Sequence, residues 1–158
     1  MDNNKYKEFK NITKQLNNIG IIPLLYGSLG LESQLEIDLY PDDIDILIPK
    51  IWLNENWQDL RFLMNKNGYY LFDEHEHSFK KKYIIAFAGI EQFLDKFKVN
   101  NMTQKTENDC KFYELSLEDY LKVYNKFRND DYRINKRNRD EEKIKLIKSK
   151  LIKEEKYL

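Results

Sequence analysis

Two aspartates, Asp43 and Asp45, alternate with isoleucines at the start of an apolar run that ends before Pro49. This alternation predicts a β-strand, in which side chains two residues apart point to the same face. The isoleucines then enter a core, and the two carboxylates share the opposite face, where they repel each other unless a cation lies between them. Proteins bind Mg²⁺ in this way, through one or two carboxylates completed by water and substrate phosphates. The run therefore predicts a strand that carries a magnesium site.

A second apolar run, Ile21–Tyr26, precedes the aspartates and ends at Gly27 and Ser28. Pro23 has no N–H to donate to a sheet, so the strand is expected to begin after it. Glycine lets the backbone approach a ligand closely, and a serine hydroxyl with the amides of a following turn can hold an anion. A phosphate cradle beside a metal-binding pair is the arrangement that phosphoryl or nucleotidyl transfer requires.

The remaining pattern predicts an α+β fold, a small mixed sheet flanked by helices and followed by C-terminal helices. The expected helices cover about residues 4–19, 54–67, 89–97, 116–127 and 139–156. Two further strands are expected over 69–79 and 83–88. Residues 31–42 are expected to be a polar connection that can begin with a short helix, and residues 98–112 a loop. The 158 residues suit one domain, with an αβ core at 1–100 and the loop and C-terminal helices at 101–158.

Composition narrows the classes of function. The chain carries 27 basic and 27 acidic residues, so its net charge of zero gives no global attraction to nucleic acid or membrane. It has no apolar run of membrane-spanning length, and its single cysteine, Cys110, fits a reducing cytoplasm. A local basic excess over 126–158, centred on Arg133, Lys136 and Arg137, leaves nucleic acid as a weaker candidate partner beside a solvated helical surface.

An apolar strand, Gly-Ser, a gap of fourteen residues and then Asp-apolar-Asp-apolar together resemble the polymerase-β-like nucleotidyltransferase superfamily. The segment 115–120, followed by Lys136 and Asp140, resembles the C-terminal helical part of its small bacterial antibiotic-type members. The resemblance implies that Gly27 and Ser28 contact a nucleoside triphosphate and that Asp43 and Asp45 hold two Mg²⁺ ions. It further implies a cytoplasmic bacterial enzyme that transfers a nucleotidyl group to an acceptor hydroxyl on a small molecule or a protein.

Members of this superfamily usually add a third carboxylate from a later strand, and 83–88 contains none. Glu76 is our first candidate and Glu74 the second, since a strand through 73–77 places both on one face. An inactive member that binds a nucleotide or a protein partner is therefore an alternative, as is an unrelated α+β interaction domain. His75 and His77, with Asp73, fit a polar hairpin face better than a zinc site.

Overall fold

The computed structural model describes residues 3–99, 101–128 and 135–156, without the side chains of residues 3, 137 and 156. The described residues form six helices: α1 Asn3–Asn18, α2 Gly27–Leu35, α3 Trp57–Lys66, α4 Ile90–Phe97, α5 Leu117–Arg128 and α6 Arg137–Lys156. They also form seven strands: β1 Leu24–Tyr26, β2 Ile44–Ile48, β3 Tyr70–Asp73, β4 Ser78–Lys80, β5 Ile84–Gly89, β6 Met102–Glu107 and β7 Cys110–Leu115. A short 3₁₀ turn at Lys50–Leu53 follows β2.

The seven strands make one mixed sheet in the order β3-β4-β5-β2-β1-β7-β6. Strand β2 pairs antiparallel with β1 and parallel with β5, and β1 pairs parallel with β7. Two antiparallel hairpins, β3–β4 and β6–β7, form the outer parts of the sheet. The expected α+β class with a small mixed sheet flanked by helices is confirmed.

Alternation along the central strands separates two cores, one on each face of the sheet. Ile44, Ile46 and Ile48 of β2 pack on one face with apolar residues of α1 and α3. Leu47 packs on the other face with residues of α4, α5 and α6. Because Asp45 alternates with the isoleucines, it belongs to this second face, where the C-terminal helices lie.

Several local predictions are confirmed. Helix α1 ends near Gly20, which has a positive φ of 88°, and β1 begins at Leu24, directly after Pro23. The Ser116 Oγ accepts a hydrogen bond of 3.1 Å from the Asp119 backbone N–H, so Ser116 caps α5 as its sequence position indicates. The polar connection after Ser28 holds more helix than expected, because α2 starts at Gly27 and continues to Leu35.

The prediction of a loop over 98–112 is wrong, because β6 and most of β7 form a hairpin there, and β7 extends the sheet by pairing with β1. Both Asn108 and Asp109, which connect the two strands, have positive φ angles, of 49° and 63°. That conformation belongs to a tight two-residue hairpin turn, which Asn and Asp tolerate better than most residues. Strand β6 is polar because it is the edge of the sheet, and this polarity hid it in the sequence.

The single strand expected over 69–79 is also wrong. Strand β3 ends at Asp73, residues 74–77 form a turn, and β4 begins at Ser78. His77 closes this turn with a positive φ of 50°. Within the described residues, no helix combines the length and the apolarity that crossing a membrane requires.

Candidate functional site

A cavity of about 690 Å³ lies where β1 and β2 meet the C-terminal helices. Its volume falls within the range of small-molecule sites in proteins. The five residues that the sequence singles out all line it: Gly27, Ser28, Asp43, Asp45 and Glu76. The start of helix α2, directly after β1, supplies the first two. Strand β2 and the residue before it supply the aspartates, and the 74–77 turn supplies the glutamate.

Gly27 joins β1 to α2 with a φ of +70°, a conformation that residues with a side chain rarely adopt. A Cβ atom at this position would lie 2.3 Å from the Asp45 Oδ2 atom. Only glycine therefore allows the carboxylate to lie directly against the start of the helix. Tyr26, at the N-cap position, makes no side-chain hydrogen bond to the first turn, and that turn contains no acid. The N-terminus of α2, with its backbone amides and the positive end of the helix dipole, favours an anion.

Ser28 and Lys143 link the αβ part of the chain to the last helix across the cavity. The Lys143 ammonium donates a hydrogen bond of 2.9 Å to the Ser28 Oγ atom. The same Nζ atom lies 5.0 Å from the centre of the Tyr124 ring, so it also makes a cation–π contact. A cation is therefore already present beside the turn in which an anion is expected.

Asp43 and Asp45 are both half-buried, and Asp43 lies one residue before β2 rather than within it. Burial raises the pKa of the Asp43 carboxyl above its ordinary value, and the neighbouring Asp42 charge adds to the increase. Lys136 and Lys5 act in the opposite direction and lower this pKa. A carboxylate whose charged form is disfavoured by burial and by another acid gains from a bound cation.

On the β5 side of Asp45, the sheet carries small apolar side chains. In the parallel register, Asp45 lies beside Ala86, and Leu47 lies beside Ala88. Both alanines line the cavity, and β5 contains no acidic residue. A methyl group therefore occupies the position next to Asp45 from which a strand could have supplied a third carboxylate.

Glu76 reaches the cavity from the 74–77 turn and is exposed. Its backbone N–H donates a 3.3 Å hydrogen bond to the Asp73 Oδ1 atom, which holds the turn. Because these residues form a turn, the face shared by Glu74 and Glu76 that a strand would create does not exist. His75 and His77 line the same cavity, and the His77 ring lies edge-to-face with Trp57 at 5.0 Å. Across the described part of the chain, no three His, Cys, Asp or Glu residues are grouped as a metal site.

Three basic residues of the C-terminal region, Lys136, Arg139 and Lys143, line the cavity opposite the aspartates. Arg139 also forms an ion pair with Asp42, at 3.6 Å. Sequence reasoning missed Arg139 and Lys143 and selected Arg133, Lys136 and Arg137 instead. Of those three, Arg133 and the Arg137 side chain lie outside what the structure describes. Helical spacing puts Lys136, Arg139 and Lys143 on one face, but only the folded structure shows that this face meets the cavity.

No model of a known protein family matches the chain. The chain is 44% identical over 153 residues to the uncharacterised protein YnaI of Bacillus subtilis (strain 168). The aligned residues cover 93% of this chain and 97% of YnaI.

Two solved structures resemble the fold. The first is an antigenic nucleotidyltransferase-like protein from Paracoccidioides brasiliensis, with a TM-score of 0.61 and 13% identity over 87% of this chain and 72% of that one. The second is the antibiotic-resistance factor ANT(2'')-Ia, with a TM-score of 0.58 and 13% identity over 96% of this chain and 86% of that one. The chain therefore has a nucleotidyltransferase-like fold, as its motif predicts.

Proposed function

Because the chain belongs to the same protein family as YnaI of Bacillus subtilis and has a nucleotidyltransferase-like fold, we propose that it binds a nucleoside triphosphate with Mg²⁺ and transfers the nucleotidyl group to a hydroxyl of a small molecule or protein. The observation that carries the proposal is the contact between Gly27 and the Asp45 carboxylate in one cavity. It brings an anion-binding helix start and a cation-binding carboxylate together, and a magnesium-bound polyphosphate needs both. The proposal treats residues 1–158 as one domain, since residues before and after position 100 line the cavity.

The triphosphate is held by groups of this chain that favour negative charge. The first amides of α2 and the Ser28 hydroxyl bind phosphate oxygens, and Lys143 adds a charge-assisted hydrogen bond beside them. Lys136 and Arg139 face the same space and balance the remaining phosphate charge. Together they hold the α-phosphorus in place while the acceptor oxygen bonds to it and pyrophosphate leaves.

The donor set suits magnesium, because Asp43 and Asp45 offer hard carboxylate oxygens, and burial disfavours an isolated charge at Asp43. When bound, Mg²⁺ polarises the α-phosphate and lowers the pKa of the attacking hydroxyl. The two aspartates would hold the ions, and Gly27, which has no side chain, leaves room for the Asp45 carboxylate against the start of α2. We call this start, residues Gly27 and Ser28, the phosphate turn. Glu76, which lies in the exposed 74–77 turn, is the proposed third acid. Its carboxylate would accept the proton that the acceptor hydroxyl loses.

Thermal unfolding tests this function directly. We expect Mg²⁺ with at least one of ATP, GTP, CTP or UTP to raise the melting temperature, and the shift to vanish with EDTA. A ligand that binds only the folded state adds about 2.7 kcal/mol at one hundred times its Kd, equivalent to roughly 5–10 °C for a chain of this size. A well-folded protein that shows no shift with any of the four nucleotides would contradict the proposal. A positive result would start the search for the acceptor, by pyrophosphate release in the presence of candidate hydroxyl compounds.

Replacing Lys143 by methionine should weaken binding of the triphosphate and leave the fold intact. Methionine keeps an apolar stem against Tyr124 but removes the charge beside Ser28. Hydrogen bonds to charged groups contribute about 1.5–3 kcal/mol, so the Kd should rise about 10- to 100-fold. Calorimetric titration with the nucleoside triphosphate and with the matching nucleoside, which has no phosphate, measures the effect. Equal weakening of both ligands would argue against a phosphate-binding role, as would an unchanged Kd for the triphosphate.

A second candidate, a member that binds the nucleotide without transferring it, is favoured by one observation: Ala86 beside Asp45. If this alanine is the reason for inactivity, Ala86→Asp should raise pyrophosphate release about 100-fold, the scale of a positioned proton-transfer group. Ala86→Asn is the matched control, because it has the same shape without the charge.

The two candidates differ in what the unmodified chain does. If Glu76 already serves as the third acid, the wild type releases pyrophosphate with a suitable acceptor, and Glu76→Gln lowers the rate by a similar factor. If the chain is a binding module, the wild type shows the thermal shift with no release under any acceptor tested, and Glu76→Gln changes neither result.

A further inference from the structure

A continuous group of aromatic rings, which we call the aromatic wall, covers the part of the cavity next to the C-terminal helices. It consists of Tyr26, Phe93, Phe97, Tyr124 and Phe127, all of which line the cavity. Its rings touch in sequence, with centroid separations of 4.6 Å from Tyr26 to Phe93, 4.9 Å from Phe93 to Phe97 and 5.4 Å from Phe97 to Phe127. Phe127 in turn lies 5.9 Å from Tyr124. Phe93, Phe97 and Tyr124 are buried in the core on this side of the sheet, whereas Tyr26 and Phe127 are half-buried and are the more accessible rings of the wall.

The aromatic wall lies next to the phosphate turn. Tyr26 is the residue immediately before Gly27, and its ring packs against Phe93. Lys143 joins the two regions, since one Nζ atom contacts both the Ser28 hydroxyl and the face of Tyr124. A ligand whose phosphates lie at Ser28 therefore has this wall as the apolar surface next to it.

The other side of Asp45 has a different chemistry. There, the cavity is lined by His75, Glu76 and His77 of the turn and by Ala86, Phe87 and Ala88 of β5, of which Phe87 is buried in the core on the opposite face of the sheet. A nucleoside triphosphate carries its flat ring only one ribose away from its α-phosphate. The base must therefore lie close to the phosphate turn, and aromatic side chains are the surfaces on which bases of any sequence stack.

We infer that the aromatic wall binds the nucleobase of the triphosphate, and that the acceptor approaches from the 74–77 turn. The inference rests on the proposed function, because it assumes that the phosphates lie at Gly27 and Ser28. Gln92 lines the cavity on the same helix as Phe93 and Phe97, where its amide can both donate to and accept from the edge of a stacked base. Stacking supplies affinity that every base shares, whereas Gln92 is the group that can distinguish one base from another.

Phe127 is the position at which this inference is best tested, because its side chain is only half-buried at the rim of the wall. Phe127→Leu keeps an apolar side chain of similar bulk but removes the ring, and Phe127→Tyr is the matched control that retains it. Base–aromatic stacking of average strength corresponds to a change of about tenfold or more in Kd. We therefore expect Phe127→Leu to weaken binding of the preferred Mg²⁺–nucleoside triphosphate about tenfold, and Phe127→Tyr to bind like the wild type.

Magnesium tripolyphosphate is the second ligand, since it presents the phosphates without a base. Phe127→Leu should leave its Kd unchanged. Equal weakening of both ligands, or an unchanged Kd for the nucleotide, would overturn the inference. Wild-type protein that binds tripolyphosphate as tightly as any nucleotide would overturn it too, although the proposed phosphate site would stand. Protein that binds neither ligand would instead contradict the proposed function itself.

A fluorescent variant provides an independent measurement should Phe127→Leu fail to fold. In Phe127→Trp the ring is retained, and a base stacked on the indole should quench its emission relative to the wild-type protein. Tripolyphosphate should produce no such change. Identical quenching by both ligands, or none by either when calorimetry shows nucleotide binding, would place the base elsewhere in the cavity.

Discussion

The double variant Asp43→Asn/Asp45→Asn should lose the entire magnesium-dependent thermal shift with nucleotide and still fold. Both carboxylates line the cavity at the start of β2, and amides of the same shape keep the packing while removing the charges. Without those charges, a Mg²⁺–triphosphate complex loses its protein ligands and retains only its phosphate contacts. The expected result is a wild-type shift of roughly 5–10 °C that falls to nothing in the variant. A shift of wild-type size in the folded variant would exclude the aspartates as metal ligands.

The difference in stability between the wild type and the single variant Asp43→Asn should depend on pH in a defined direction. The pKa of the Asp43 carboxyl is raised in the folded protein, first by burial and then by Asp42, so the folded state binds this proton more tightly than the unfolded state does. Its contribution to stability is therefore complete below the unfolded pKa and is lost as the pH rises through the folded pKa. Asparagine cannot ionise, so the variant should gain stability relative to the wild type as the pH rises across that window. Urea unfolding at several pH values measures this difference, and a difference independent of pH would contradict it.

Gly27→Ala should abolish nucleotide binding and destabilise the protein. The new Cβ would lie 2.3 Å from the Asp45 Oδ2 atom, so the carboxylate must move away from the phosphate turn. The backbone also has a φ of +70°, which costs a residue with a side chain roughly 1–2 kcal/mol. We expect a melting temperature lower by several degrees, together with loss of the magnesium-dependent shift.

Gly20→Ala is the matched control for this variant. Gly20 has a similar φ of +88°, yet a Cβ at that position would meet nothing within 4 Å. Both variants should therefore show the cost of the backbone conformation, but only Gly27→Ala should lose the nucleotide. If Gly27→Ala retains the thermal shift that Gly20→Ala shows, the contact between Gly27 and Asp45 has no role in binding.

The sequence was sufficient where local chemistry alone decides the structure. The alternation of Asp45 with buried isoleucines identified β2, and Ser116 identified the start of α5 through the cap that it forms. The sequence also selected residues that line one cavity, because Gly27 and Ser28 directly follow β1, the two aspartates lie at the start of β2, and these strands are neighbours in the sheet. Their roles in binding stay a prediction.

Prediction failed where distant parts of the chain determine the local structure. Strand β7 exists because it pairs with β1, and the polar sequence of β6 is acceptable only at an edge. Lys143 and Phe127 reach the cavity because α5 and α6 fold back over the sheet, and no local pattern reveals that path. The role of Glu76 also depends on a turn that a strand-like composition concealed, so it stays a prediction.

The pairing of β1 with both β2 and β7 has a consequence for how the chain is made. During synthesis, β1 and β2 leave the ribosome early, but the parallel partner of Leu24 is Tyr113, far later in the sequence. Until β7 emerges, one edge of the three-residue strand β1 has no strand to pair with, and the apolar side chains of β1 are not yet fully covered. Such dependence on remote pairing slows folding, since a long loop must close before the contact forms. A nascent chain stalled before β7 should therefore be protease-sensitive and prone to aggregate, and a longer chain that exposes β7 together with α5 and α6 should be resistant.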